Sequence, residues 1–354
     1  MKTLFAPTHL GKMQLSNHIV MAPMTRSRAI SNVPNDLMAE YYSLRADAGL
    51  IITEGTSPSP NGLGYARIPG LFNSEQVAGW TKVTKAVHAK GGHIFVQLMH
   101  TGRTSHELNL PKGAHVLAPS AVTQSGRMYT DEKGLLPYPT PQEMTAAEIE
   151  TAKNEHIKSA QLAIDAGFDG IELHGANGYL LEQFLNPKTN KRTDSYGGSS
   201  ENRMRFVLEV AEGCAKKIGG DKVGIRLSPY GANGDMGAFE GIDQFYATLA
   251  KKLSDAGLVY IHIADHSSMG APPVSVAVKQ AIRANFSGAY ILSGGFDAVT
   301  AEQALDQKLG DLVAFGRPFL GNPDLVEKMK KEKPIRPPDQ AHLYTPGPVG
   351  YTQL

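Results

Sequence analysis

One cysteine, Cys214, stands among 354 residues. That excludes an intrachain disulfide and any cluster held by several thiolates. It falls in a helical pattern and reads as a small packed apolar group. An excess of charge of one sign is also lacking: 35 basic residues against 34 acidic ones leave a formal +1. Bulk electrostatics therefore points to neither nucleic acid nor an anionic membrane as a partner. No apolar stretch approaches the roughly 20 residues of a membrane span. The opening Met1-Lys2-Thr3-Leu4-Phe5-Ala6-Pro7 lacks the apolar run of a signal peptide. A soluble, cytoplasmic protein is the expectation. The length allows one large barrel or two ordinary domains.

What is present is a recurring apolar run. Eight occur: His18–Pro23, Leu50–Gly55, His93–Met99, Gly170–Gly175, Val223–Pro229, Tyr260–Asp265, Ala289–Gly295 and Asp311–Arg317. Most are near-continuous in Val, Ile and Leu, the pattern of parallel strands buried on both faces. Helical patterns separate most of them. The clearest starts at Thr145, where Glu148 completes a capping box and Ile149, Ala152, Ile157, Ala160 and Ile164 line one face. Thr300 with Gln303 opens another, and Asn322-Pro323 reads as N-cap and first-turn proline. Ala46–Leu50, Ile164–Phe168 and Ser254–Leu258 repeat an Asp-Ala-Gly-apolar ending. In each, the glycine is expected to take the left-handed conformation that closes a helix before a strand.

Eight strand–helix units predict a closed (β/α)8 TIM barrel spanning residues 1–354 as one domain. A doubly wound open sheet is the alternative, although no G-x-G-x-x-G follows the first strand. The connection from about Thr101 to Met144 is long, polar and Pro/Gly-bearing, and reads as a lid over the barrel mouth. The tail over 334–354 reads as extended, on the surface or against a neighbouring subunit.

Barrel chemistry gathers at the carboxyl ends of strands. There stand Pro23-Met24-Thr25, Glu54-Gly55, Gln97 with His100, the turn after Gly170, Arg226, Gly294-Gly295 and Gly316-Arg317. No lysine falls among them, against a Schiff-base aldolase. No strand carries H-x-H and no carboxylates cluster, against a metal-dependent hydrolase; no metal site is expected. His174, Asn177 and Tyr179, punctuated by Gly175 and Gly178, end the fourth run. Two of them can aim donors at one acceptor oxygen while the phenol offers a proton, as reduction of a conjugated double bond requires. Each alone is more readily a satisfied structural residue; all three at one strand end are not.

Gly294-Gly295 and Gly316-Arg317 match the phosphate site after strands 7 and 8 of many barrels. Backbone N–H groups would cradle the anion and Arg317 would add charge-assisted bonds. Thr25, Gln97 and Arg226 form a polar set suited to a flavin ring. Gln97 both donates and accepts, and Arg226 would stabilise a reduced flavin's negative charge. The competing reading of Arg226 is a structural ion pair with Glu54 or Glu172.

The chain resembles the old yellow enzyme family of FMN-dependent ene-reductases. The match runs from Asn17-His18-Ile19-Val20-Met21-Ala22-Pro23-Met24-Thr25-Arg26 to Tyr351 and covers essentially the whole chain. Its most specific stretch is His174-Gly175-Ala176-Asn177-Gly178-Tyr179-Leu180-Leu181 with Gln183-Phe184-Leu185, continuing through Asn190, Arg192-Thr193-Asp194, Tyr196-Gly197-Gly198 and Glu201-Asn202-Arg203. Gln97–Arg103 and Ala314-Phe315-Gly316-Arg317 also match. The resemblance implies non-covalent FMN and a ping-pong cycle. NADPH or NADH gives hydride to flavin N5, which delivers it to the β carbon of an alkene activated by a carbonyl or nitro group. His174 and Asn177 would bind the activating oxygen, and Tyr179 would protonate the α carbon. Thr25 would bond the flavin O4, Gln97 and Arg226 the pyrimidine end, and Pro23, Met24 and Gly55 would approach the ring. Gly294, Gly295, Gly316 and Arg317 would hold the phosphate. Tyr65, Met99 and Tyr351 would line the substrate pocket.

Departures narrow the expectation. Thr25 in place of Cys argues against the thermophilic-like branch, and the single cysteine against iron–sulfur-bearing relatives. Asn177 in place of a second His bears on preference among carbonyl, nitro and nitrate-ester substrates, and a nitro-compound or nitrate-ester reductase is the alternative on this scaffold. Met99 where relatives carry Trp makes a more pliable pocket. Asp265-His266-Ser267-Ser268-Met269 lacks an aromatic that some relatives place there. From another class, a flavin-binding sensor would need no proton donor. Activated alkenes and NAD(P)H are the expected partners, in a monomer or homodimer.

Overall fold

Strands buried on both faces need cover on both sides, and a ring of helices around a closed sheet supplies it. The computed structural model describes residues 2–354. Its barrel strands are Ile19–Met21 (β1), Leu50–Ile52 (β2), Ile94–Leu98 (β3), Gly170–Gly175 (β4), Val223–Leu227 (β5), Tyr260–Ile263 (β6), Ala289–Leu292 (β7) and Leu312–Phe315 (β8). Each pairs in parallel with the next, and β8 returns to β1. The ring is closed, which removes the open-sheet alternative.

Alternation along the strands sorts side chains between lumen and helix layer. Ile171 and Leu173, with Val223, Ile225, Ile261 and Ile263, pack outward into the main core. Their neighbours fill the lumen in layers. Phe95 and Tyr260 lie low, their ring centroids 6.0 Å apart. Above them Gln97 pairs in register with Glu172, and His174 with Arg226, which in turn faces His262. Below, the hairpin Thr8–Leu10/Met13–Leu15 seals the lumen with Leu10 and Leu15.

Local signals held where neighbours left them alone. Thr145 caps the helix Ala146–Asp165 with the full capping box to Glu148. Gly167 and Gly257 take left-handed φ of 89° and 77°. Gly49 does not; an added Cβ there would lie 2.2 Å from the Asn17 carbonyl oxygen, so close approach explains this glycine. Two other expectations are corrected. Asp297, not Thr300, caps the helix Ala298–Asp306, and Thr300 is the third residue of that box. Asn322 starts no helix: it is the C-cap of the short helix Arg317–Gly321, and the helix Leu325–Lys330 begins after Asp324. The buried Asn322 amide instead donates to Pro318 and Arg336 carbonyls and accepts from the Arg336 N–H, tying down the start of the tail.

Between β3 and the helix Ala146–Asp165 lies an antiparallel hairpin, Arg127–Thr130 with Gly134–Pro137. The tail returns over the mouth of its own barrel. Arg26 donates to the Leu343 and Gly350 carbonyls, and Arg28 to those of His342 and Leu343.

The lumen layers make one glycine irreplaceable. A Cβ on Gly224 would sit 2.1 Å from the Tyr260 ring. Gly224→Ala is expected to lower unfolding stability by about 1–3 kcal/mol through overpacking, read from urea denaturation; Gly91→Ala, in open space with φ 75°, costs only its backbone strain.

Candidate active site

The turn after β4 is held from below. The Asn177 N–H donates to Ser228 Oγ at 2.9 Å, and Ser228 Oγ donates to Glu182 at 2.7 Å. The other Glu182 oxygen accepts the Gly178 N–H at 2.6 Å. Asn177 sits at φ 60°, a left-handed position that asparagine tolerates. Gly178 follows at φ 82°, where a Cβ would press to 2.7 Å from the Asn233 carbonyl. Two consecutive left-handed residues turn the chain sharply enough to aim His174, Asn177 and Tyr179 into one cavity of about 940 Å3.

Burial sets their protonation. Desolvation, helped by the nearby Arg226 cation, holds His174 well below the usual imidazole range, so the ring is neutral and still carries one N–H. Its Nδ1 is buried without a partner among the described residues. Desolvation pushes Tyr179 up to about 12, keeping its proton across ordinary pH. The Tyr179 hydroxyl lies 3.0 Å from that of Tyr65. The two rings meet edge-on, as do those of Tyr179 and His174, whose centroids are 4.8 Å apart.

Pro23, Thr25, Gly55, Gln97, Met99 and Arg226 line the same cavity. One Gln97 N–H is committed to Glu172 at 2.8 Å, and Glu172 also takes His262 Nδ1 at 2.9 Å. Arg226 makes no ion pair among the described residues. Its Nε is buried and unpartnered, and Glu172 only favours its charge from a distance. The ion-pair reading with Glu54 or Glu172 therefore fails. Glu54 turns away to the Arg26 N–H and the Tyr42 hydroxyl, and burial raises it to about 7. Met99 packs over Gly55, where a Cβ would come within 2.4 Å of its sulfur.

A second cavity of about 690 Å3 shares Pro23, Asn177 and Arg226 with the first. Met24, Gly294, Gly295, Gly316 and Arg317 line it. Gly294 and Gly295 take φ of 139° and 82°, opening the backbone toward the space. A planar polar face flanked by buried free donors, with a glycine-lined basic recess beside it, suits a phosphorylated ring cofactor such as FMN.

Two further residues stand apart, one at a strand end and one in the tail. His100 is buried facing His156, ring centroids 6.3 Å apart, and desolvation lowers it to about 3. Tyr351 does not line the pocket, which corrects its assignment there. It is fully buried, stacked at 3.9 Å on Tyr41 beneath Arg26 and Arg28, so its ring fills core space. The tail contributes Tyr344 and Pro346 instead, and the hairpin Met128, Tyr129, Leu135 and Tyr138. Arg67 joins these walls, donating to Ser27 and Tyr344 carbonyls and pairing with Asp131. None of these residues shows a periodic sequence signal. His266 also escaped notice as a site residue; its Nε2 lies 2.8 Å from Asn177 Oδ1.

The chain is similar to known flavin enzymes along nearly its whole length. Residues 3–336 match the model of the NADH:flavin oxidoreductase / NADH oxidase family. A probable flavin mononucleotide-dependent alkene reductase of Leishmania infantum is 38% identical over 353 residues, covering 98% of this chain and 96% of that one. The structure of morphinone reductase in complex with tetrahydroNAD superposes with a TM-score of 0.93 at 42% identity, over 99% of this chain and 96% of that one. The old yellow enzyme homologue of Zymomonas mobilis gives 0.94 at 37%, over 99% and 98%.

The floor of the turn carries a pH dependence. Burial raises Glu182 from its ordinary 4.5 to about 7. Between those values Glu182 binds more protons in the folded chain than in the unfolded one, so its contribution to stability falls as pH rises through this window. Glu182→Gln removes that contribution and is expected to raise the urea midpoint at pH 8 relative to that at pH 5, compared with the parent.

Proposed function

This chain belongs to the NADH:flavin oxidoreductase / NADH oxidase family, that of old yellow enzyme, and is an FMN-dependent ene-reductase using NAD(P)H; from that premise we propose how its residues divide the work. FMN held there would supply the redox chemistry, hydride transfer between a nicotinamide and an activated alkene. Thr25, Gln97 and Arg226 would hold its ring, against Pro23, Met24 and Gly55. Gly294, Gly295, Gly316 and Arg317 would hold its phosphate. The open Arg226 guanidinium supports this, since a buried cation without a partner is costly until an electron-rich group meets it.

His174 and Asn177 would bind the oxygen of an alkene activated by a carbonyl or nitro group. Both are neutral donors in a desolvated site, so they favour negative charge developing on that oxygen as the β carbon is reduced. Tyr179 then supplies a proton to the α carbon; its high pKa keeps that proton available. Met99 and Tyr65 would flank the substrate. The observation that carries this reading is the convergence of an unpartnered buried His174 nitrogen, the Asn177 amide and the Tyr179 phenol on one cavity.

We further propose that residues 1–354 act as one flavin-binding unit, with 101–144 as lid and 334–354 as tail. It would work in the cytoplasm as a monomer or homodimer, without nucleic acid or membrane partners. No helix among the described residues is long and apolar enough to cross a membrane. The nitro-compound and nitrate-ester reading is not favoured by the relatives, and a sensor without turnover does not account for Tyr179.

Two experiments test the roles. The purified protein should show a flavin band that bleaches with NADPH anaerobically and returns on adding 2-cyclohexenone; a colourless protein that takes up no FMN contradicts the cofactor site. Tyr179→Phe should leave flavin reduction by NADPH close to the parent rate. Reoxidation by weakly activated enones should slow roughly a hundredfold, the scale of a lost general acid. Equal rates in both half-reactions would remove Tyr179 as the donor.

A further inference from the structure

An asparagine amide presents nearly the same shape either way round, yet only its NH2 can donate to a substrate oxygen. Something must therefore decide which end of Asn177 faces the cavity. His266 Nε2 stands 2.8 Å from Asn177 Oδ1, and the Asn233 amide nitrogen approaches the same oxygen at 3.4 Å. The His266 contact lies on the side of the glycine-lined recess, which His266 lines together with Asp265 and Arg317. We propose that His266 is a positioning residue that locks the Asn177 amide with its NH2 toward the substrate oxygen; this rests on Asn177 binding that oxygen.

The loop after β6 is built to hold His266 still. Its carbonyl accepts the N–H groups of Met269 and Ala271. Asp265 accepts the Ser267 N–H at 3.0 Å and Lys279 Nζ at 2.6 Å, and its own N–H reaches Ser293. Burial, with Arg226 and Arg317 nearby, lowers His266 to about 4 against the opposing Asp265 charge, so the ring is neutral. An amide oxygen has no proton to give, which places the single imidazole hydrogen on Nε2. The Asn177 main chain is fixed by Ser228 of the β5 loop and its side chain by His266 of the β6 loop. The oxygen-binding amide is thus gripped from two neighbouring strand ends.

The test is titration of the FMN-loaded enzyme with 4-chlorophenol. A phenol binds as phenolate at the oxygen site and gives a long-wavelength charge-transfer band. His266→Ala should raise the phenol Kd roughly fivefold to tenfold, the scale of one net hydrogen bond. His266→Gln, which keeps a donor, should recover most of that affinity. In an Asn177→Ala background, His266→Ala should add no further loss. Unchanged affinity in His266→Ala overturns the proposal, as does an equal loss in the Asn177→Ala background or no recovery in His266→Gln. A parent enzyme giving no band, or a band with undiminished affinity in Asn177→Ala alone, overturns the oxygen-site reading itself and the proposal with it.

Discussion

A closed parallel barrel forces every second residue of its strands into a lumen that water cannot fill, and polar groups placed there must satisfy one another. In this chain Glu172 is the group on which that satisfaction turns. Its two oxygens take Gln97 and His262, and its charge favours the Arg226 cation in the layer above. A buried carboxylate is tolerable only with such partners, and here they come from strands on both sides of it. The same bonds fix Gln97, whose side chain also lines the cavity. The lumen network and the cavity floor are therefore one structure, organised from below.

Burial then assigns different protonation states to three neighbouring groups. Desolvation keeps His174 neutral and Tyr179 protonated, and it works against the Arg226 cation, which the Glu172 charge favours. A solvated turn with the same residues would lack this division. An imidazole near pH 6.5 would carry charge intermittently, and the phenol would exchange its proton with water. The glycines around the turn matter because they let the backbone come close enough to exclude water from these groups.

Much of this was legible in the sequence, and the part that was not has a common cause. Strand runs are local patterns of apolar residues, so all eight could be placed, and their number pointed to closure. The His174, Asn177 and Tyr179 spacing is likewise local. Tyr351 was misplaced because its contacts with Tyr41 and Arg28 span the whole chain. Asn322 looked like an N-cap because its competing partner, Arg336, lies beyond the next helix. Thr300 yielded to Asp297, three residues earlier and equally able to cap. Glu54 and His100 stand at strand ends like Gln97, but beyond the last paired residue alternation no longer governs which way a side chain points.

The outer walls of the cavity obey a different logic from its floor. These walls are the 127–137 hairpin and the tail, neither part of the barrel, and both are tied to the loop that carries Thr25. Arg26 and Arg28 follow that residue and grip the tail carbonyls. Arg67 joins Ser27, Asp131 and Tyr344 across all three segments. The grip is on main-chain carbonyls in the tail, which any residue offers, so side chains such as Tyr344 and Pro346 can change without loosening it. The hairpin's inward side chains are equally free, because its register rests on backbone pairing. Substrate range in this fold can therefore vary while the lumen network and its protonation states stay as they are. That separation explains why the chemistry could be read from motifs and the shape of the pocket could not.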